Sequence, residues 1–167
     1  YIGGIESFRE SAERNHRQTS THVVQFAEIS ADEHIHTKTG FPTGSILYYI
    51  QRVRYLDGKA LILDINMFLK SQVPGLTREI AEGSIYDYIE KELGMQIITS
   101  KRTMTVEHTT QVDEKYLELK DYNCLAVVTN QTYNADGIMF EYTQSRHRPD
   151  FFRFQETATR KHRQETQ

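Results

Sequence analysis

Apolar and polar residues alternate over several long stretches of the chain, the period-two pattern of strands that turn one face to a core. Thr21 to Ser30 carries Val23, Val24, Phe26 and Ile29 and reads as a strand. Ser45 to Leu56 and Lys59 to Leu69 are rich in Ile, Leu, Tyr and Val and are joined across Asp57-Gly58, a strong hairpin signal. Residues 96 to 110 form a strand bearing Thr and Val, and Cys124 to Tyr133 with Ile138 to Arg146 form a second hairpin around Asp136-Gly137. Two hairpins and two further strands predict an antiparallel sheet.

Between these stretches the period changes and cap residues appear. Residues 6 to 15 predict a helix capped by Ser7, with Glu10 completing a capping box. Ala31 to Thr39 predicts a short helix stopped by Gly40 and Pro42. Gly83-Ser84 opens a helix through Leu93, with Ser84 as N-cap, Asp87 at the third helical position and Gly94 just past the end. Asp113 to Lys120 predicts a further short helix. The pattern is that of one α+β domain over residues 1–154. Residues 155–167 have no large apolar side chain and many charges and predict a mobile polar tail.

Composition narrows the setting. A chain of 167 residues can bury a core without disulfides or metals, and its single cysteine, Cys124, allows no internal disulfide. Cytoplasmic location is the expectation. No apolar run approaches the roughly 18 residues of a membrane helix, and Tyr1-Ile2-Gly3-Gly4 lacks a signal-peptide pattern, so neither anchoring nor export is expected. The start reads as the interior of a longer protein. A formal charge of −3 offers no broad basic face, so this piece is not expected to hold DNA by itself.

The candidate chemistry is electrostatic. Ile46, Tyr48, Ile50, Arg52, Arg54 and Leu56 share one strand face, so two arginines interrupt an apolar surface. They either snorkel to an edge and pair with carboxylates, or point two permanently charged forks into a pocket suited to a phosphate. The N–H groups at the Ser84 helix start, with the Ser84 hydroxyl, form a second feature that favours an anion, although every helix has such an end. Tyr86 is either core or presents its hydroxyl to a ligand. Asp64 sits inside Leu61-Ile62-Leu63-Asp64-Ile65 and needs a partner. A two-residue loop at Asp57-Gly58 pairs it with Gln51, away from the arginines. A three-residue loop with Gly58 as a bulge pairs it with Ile50, on the arginine face, and is the register expected here. Asp64 would then neutralise Arg52 or accept hydrogen bonds from a polyol. The last strand turns Glu141, Thr143 and Ser145 to one face and Tyr142, Gln144 and Arg146 to the other.

Catalytic and metal motifs are missing from the sequence. The seven histidines show no HExxH or Cys/His spacing, and no Gly-x-Ser-x-Gly elbow, Walker loop or dinucleotide fingerprint occurs. No metal, cofactor or catalytic residue is assigned.

Arg52-Val-Arg54, Asp57-Gly58, Asp64, Ser84-Ile-Tyr86 and Ser145-Arg-His-Arg-Pro-Asp-Phe-Phe-Arg-Phe154 together resemble the UTRA domain, the effector-binding half of GntR-type (HutC subfamily) bacterial transcription regulators. The resemblance implies a chorismate-lyase-like fold with a central antiparallel sheet flanked by short helices. It also implies a homodimer, and an N-terminal winged helix-turn-helix domain, absent from this chain, that binds operator DNA. For sugar-phosphate effectors it implies that Arg52, Arg54, Ser84 and Tyr86 hold the phosphate. Asp64 and Glu141 would contact sugar hydroxyls, Ser7, Phe8 and Arg9 would close one side of the pocket, and His147 would replace a tyrosine contact. The strings Ile50-Gln-Arg-Val-Arg54, Ser84-Ile-Tyr-Asp-Tyr-Ile-Glu90 and Tyr142-Thr-Gln-Ser-Arg-His-Arg148 are similar to trehalose-responsive members, which implies trehalose-6-phosphate as the effector. The resemblance thus points to a sensor of a small molecule in a transcriptional repressor. A fold-related lyase or phosphosugar hydrolase, with Asp64 as its candidate base, and a pure dimerisation module remain as alternatives.

Overall fold

The computed structural model describes residues 16–161. The helix expected over residues 6–15 lies outside them, as do the candidate pocket residues Ser7, Phe8 and Arg9.

Six strands form one antiparallel sheet in the order β1-β2-β3-β6-β5-β4, comprising β1 Thr19–Ser30, β2 Ile46–Leu56, β3 Lys59–Leu69, β4 Ile97–His108, β5 Cys124–Asn134 and β6 Met139–His147. Short helices occupy the connections: α1 Glu33–Thr39, α2 Arg78–Glu82, α3 Ile85–Asp87 and α4 Gln111–Tyr116. This is the α+β arrangement that the alternating pattern predicts. The short α2 was not expected from the sequence. Its five residues give periodicity little room to show, and its marker is the Thr77 side chain accepting from the Ile80 N–H.

The helix ends follow their side-chain chemistry. The Asp32 carboxylate accepts from the Ile35 N–H at 2.8 Å, and Gly40, at φ +87°, ends α1 in the left-handed conformation. The helix expected over Asp113–Lys120 begins earlier and ends sooner. Thr110 is its cap, in a reciprocal capping box with Asp113, and Glu118 turns to donate its N–H to the Ala60 carbonyl. The helix expected from Ser84 to Leu93 is one α-turn followed by a wider π-turn over Tyr88–Glu92.

The β2–β3 hairpin corrects the expected register. Asp57 and Gly58 both have positive φ, at 50° and 80°, as a two-residue type I′ turn requires, and Leu56 pairs with Lys59. Leu61 then bulges out of the ladder between Tyr55↔Ala60 and Arg54↔Ile62. Asp64 consequently pairs with Arg52, neither with Gln51 nor with Ile50. It reaches the arginine face through the bulge in the strand, with no extra loop residue.

The two sheet faces bury different material. On one, Val23, Tyr48, Ile50 and Phe68 pack against Val73, Leu76, Ala81, Ile85 and Ile89 from the α2–α3 segment. On the other, Val53, Leu63, Leu125 and Val127 meet Leu117 and Leu119 after α4, and Leu47, Met67 and Tyr142 meet Phe41 after α1. Arg146 pins α4 to this second face through two parallel bonds to Asp113, Nε–Oδ1 at 2.8 Å and Nη2–Oδ2 at 3.0 Å.

Breaking that pin leaves a buried guanidinium without its main counter-charge. Asp113→Ala is expected to lower unfolding free energy by about 3–5 kcal/mol in urea denaturation. Lys70→Ala, which removes the exposed ion pair with Glu28, is expected to leave the midpoint nearly unchanged.

Candidate functional site

Strand pairing carries three polar rows across the first face. Arg52 lies beside Asp64, which lies beside Ser145. One step along, Asn66 pairs with Thr143, Thr143 with Asn130, and Asn130 with Arg102. One step further, Glu141 pairs with Thr132, and Thr132 with Ser100. Arg54 and His147 flank Ile62 on the opposite side of the Arg52 row. Alternation alone puts these side chains on the face that α2 and α3 cover.

Arg52 is buried at 4% exposure, and its partners fix its place. Nε donates to Asn66 Oδ1 at 2.8 Å, and Nη1 donates to the Ala81 carbonyl at 3.3 Å in the last turn of α2. The guanidinium thus caps a helix C-terminus and holds the chain three residues before Ser84. Arg54 donates through Nε to Asp64 Oδ2 at 2.9 Å and through Nη1 to Thr21 Oγ1 at 2.8 Å. Asp64, expected either to neutralise Arg52 or to accept from a polyol, pairs with both arginines, closely with Arg54 and at 3.9 Å with Arg52 Nη2.

One hydrogen-bonded chain joins Arg52 to Tyr86. A guanidinium only donates, so Asn66 must offer it Oδ1 and turn Nδ2 to Thr143, at 2.9 Å. The Thr143 hydroxyl then donates to Glu141 Oε2 at 2.8 Å, and the Tyr86 hydroxyl donates to Oε1 at 2.6 Å. Every bond in the chain points toward Glu141.

These contacts set the charges. Burial and the neighbouring Arg54 push the Arg52 guanidinium down to about 9, against the pull of Asp64 and Glu141, so it stays cationic at neutral pH. Burial works to raise Asp64, but the charges of Arg54 and Arg52 and hydrogen bonds from Ser145 and Arg54 outweigh it and hold the carboxyl low. Burial raises Glu141 in spite of hydrogen bonds from Tyr86, Thr143 and Thr132. Tyr86 is raised well above its ordinary value by burial and by the adjacent Glu141. His147 is lowered, chiefly by burial, and its Nδ1 lies 3.0 Å from the Ser145 carbonyl and 3.3 Å from that of Ala126. Two carbonyl neighbours require Nδ1 to carry the proton.

Sequence reasoning singled out Arg52, Arg54, Asp64, Ser84, Tyr86 and Glu141 but not the residues that orient the arginines. Arg52, Arg54 and Asp64 come together, Tyr86 meets Glu141, and Arg52 bonds the carbonyl of Ala81, three residues before Ser84 in the chain. The Ser84 hydroxyl accepts from the Asp87 N–H at 3.2 Å, as its cap role requires. Asn66 and Thr21 complete the arginine contacts and were not singled out. The available signal for Asn66 was its i+2 spacing from Asp64 inside an apolar strand. Among the described residues no cluster of three or more His, Cys, Asp or Glu could hold a metal, and no helix is long and apolar enough to cross a membrane.

Comparison with known proteins matches residues 14–153 to the UTRA domain model. The chain is 37% identical over 159 residues to the HTH-type transcriptional regulator TreR of Bacillus subtilis, covering 95% of this chain and 67% of that protein. It is 26% identical over 157 residues to the mannosyl-D-glycerate transport/metabolism system repressor MngR of Escherichia coli, covering 94% and 65%. The chain therefore spans about two thirds of the length of these relatives. The solved effector binding domain of the B. subtilis trehalose repressor superposes with a TM-score of 0.76 over 86% of this chain and 99% of that one, at 37% identity. The fold accords with the chorismate-lyase-like class of such effector domains.

The two buried carboxylates are expected to respond oppositely to substitution and pH. Asp64 is depressed in the fold, so its stabilisation is complete above its unfolded value of about 3.9 and is lost as pH falls through the lower folded value. Asp64→Asn should cost about 3 kcal/mol at pH 7, with the difference shrinking in acid. Glu141 is raised, so its ionisation removes stability as pH climbs from about 4.3 through the raised value. Glu141→Gln, which keeps one acceptor for Tyr86, should gain on the unaltered protein across that window. Urea denaturation from pH 3 to pH 8 measures both, and parallel pH profiles for the two variants would contradict the assignment.

Proposed function

Because this chain belongs to the UTRA domain family, we propose that it is the effector-sensing domain of a GntR-type transcriptional repressor and that its effector is a sugar phosphate, trehalose-6-phosphate in particular. The observation that carries the reading is the buried Arg52–Arg54 pair, two guanidinium groups that converge on Asp64 beneath α2 and α3. A phosphate dianion suits two such groups side by side, and arginine grips it bidentately. The 37% identity to TreR supports trehalose-6-phosphate over other sugar phosphates.

In this reading Arg52 donates two of its five N–H groups to protein acceptors and turns others to the phosphate. The Ser84 hydroxyl accepts from Asp87, and its own hydrogen serves the anion. The Tyr86 hydroxyl leaves Glu141 to donate to the phosphate, and Glu141 then takes a sugar hydroxyl in its place. Asp64 and His147 contact further hydroxyls. Ser7, Phe8 and Arg9 close the remaining side. The ligand favours one arrangement of a homodimer, shifts the orientation of the winged helix-turn-helix domains that precede this domain, and lowers their affinity for operator DNA in the cytoplasm. No cofactor or turnover is needed.

The raised Glu141 favours a second reading, since enzymes tune general acids and bases by burial. Asp64, the candidate base from sequence, suits that role less, because two arginines hold it as a weak base. Product appearing when the protein is incubated with trehalose-6-phosphate would favour the enzyme.

Thermal unfolding with trehalose-6-phosphate, trehalose and glucose-6-phosphate tests the sensor. Trehalose-6-phosphate at a hundredfold excess over its Kd is expected to add about 2.7 kcal/mol of stability, and Arg52→Ala or Arg54→Ala to abolish the gain. An equal shift with plain trehalose, or none with either sugar phosphate, would sink the reading.

A further inference from the structure

The site face continues past the residues assigned above, onto the outer strands β5 and β4. Asn130 stands on β5 in the same row as Asn66 and Thr143, half-buried. Its Oδ1 accepts from Arg102 Nε at 3.1 Å and from Ser100 Oγ at 3.3 Å. The donor-only guanidinium fixes the orientation of this amide as it does that of Asn66, with the oxygen toward β4 and the nitrogen away from it. The two outcomes differ at the nitrogen. Asn66 Nδ2 is taken by Thr143, whereas Asn130 Nδ2 has no acceptor among the described residues. Arg102 also lowers the Tyr86 hydroxyl electrostatically, so this end of β4 borders the same site.

We propose that Asn130 is a specificity-determining residue, whose amide N–H groups donate to an oxygen of the sugar unit farthest from the phosphate, and that Arg102 is the positioning residue that holds the amide in this orientation. The inference rests on the sugar-phosphate reading and narrows it to disaccharide phosphates. From β2 to β5 is three strand spacings, about 14 Å between strand axes. A phosphate on Arg52 and Arg54 sets the first ring over β3 and β6, where Asp64, Ser145 and Glu141 lie. Only a second ring reaches β5. A site built to donate to that ring's oxygen loses affinity for ligands that lack it.

Isothermal titration with trehalose-6-phosphate and glucose-6-phosphate tests this on the unaltered chain and on Asn130→Ala, Arg102→Ala and Arg102→Lys. Asn130→Ala is expected to weaken trehalose-6-phosphate about tenfold and to leave glucose-6-phosphate where it was, whether that binding is weak or undetectable. Arg102→Ala should reproduce the loss, and Arg102→Lys, whose ammonium also only donates, should restore most of the affinity. Unchanged trehalose-6-phosphate binding in Asn130→Ala, or equal weakening of both ligands, overturns the subsite while the sensor reading stands. An unaltered chain that binds neither sugar phosphate overturns the sensor reading and the subsite with it.

Discussion

A guanidinium donates hydrogen bonds and never accepts them, and the polar face of this sheet is ordered by that asymmetry. Arg52 fixes the orientation of Asn66, which fixes the direction of the Thr143 hydroxyl, which leaves Glu141 accepting on both oxygens. Neutral amides and hydroxyls can bond in several ways when left alone. Anchored to a donor-only cation at one end, they have a single consistent arrangement, and Tyr86 on α3 is tied into it. The polar face is therefore ordered by the protein's own bonds from Arg52 to Tyr86.

The sheet's buried arginines divide by their partners. Arg146 on the second face has the buried Asp113 as a bidentate partner, and Arg148 has Asp150 in the same geometry, so each is compensated and serves to hold loops and α4 in place. Arg52 and Arg54 on the first face converge on Asp64, Arg54 closely and Arg52 at 3.9 Å. Burial and the neighbouring Arg54 depress the Arg52 guanidinium, so its charge is held at a cost.

Much of this was legible in the sequence, and the parts that were not share a cause. Strand alternation located β2 and β3 and put Arg52 with Arg54 on one face, because period two survives whatever the strands later pair with. Asp57-Gly58 marked the turn. The pairing of Asp64 was misjudged because Leu61 is an ordinary apolar residue, and nothing in its side chain announces that it leaves the ladder. The helix from Ser84 was visible through its caps, but its π-turn was not, since helix markers sit at ends and the widening is internal. Asn66, Asn130 and Arg102 were overlooked because their significance depends on non-local neighbours: only the strand order aligns residues from β3, β6, β5 and β4 in one row.

The bulge at Leu61 gives this hairpin something like a reading frame. Its carbonyl is taken by the Arg148 N–H, so the extra residue is locked in by the far end of β6 as well as by its own strand. Closing the bulge with every residue kept would leave the turn intact and slide β3 by one, pairing Asp64 with Gln51, so that Leu63 and Ile65 faced the arginines and Asp64 and Asn66 entered the apolar layer against Leu117 and Leu125. Removing Leu61 itself would instead leave a regular ladder with Asp64 still beside Arg52, so residue count and bulge must change together for β3 to keep its facing.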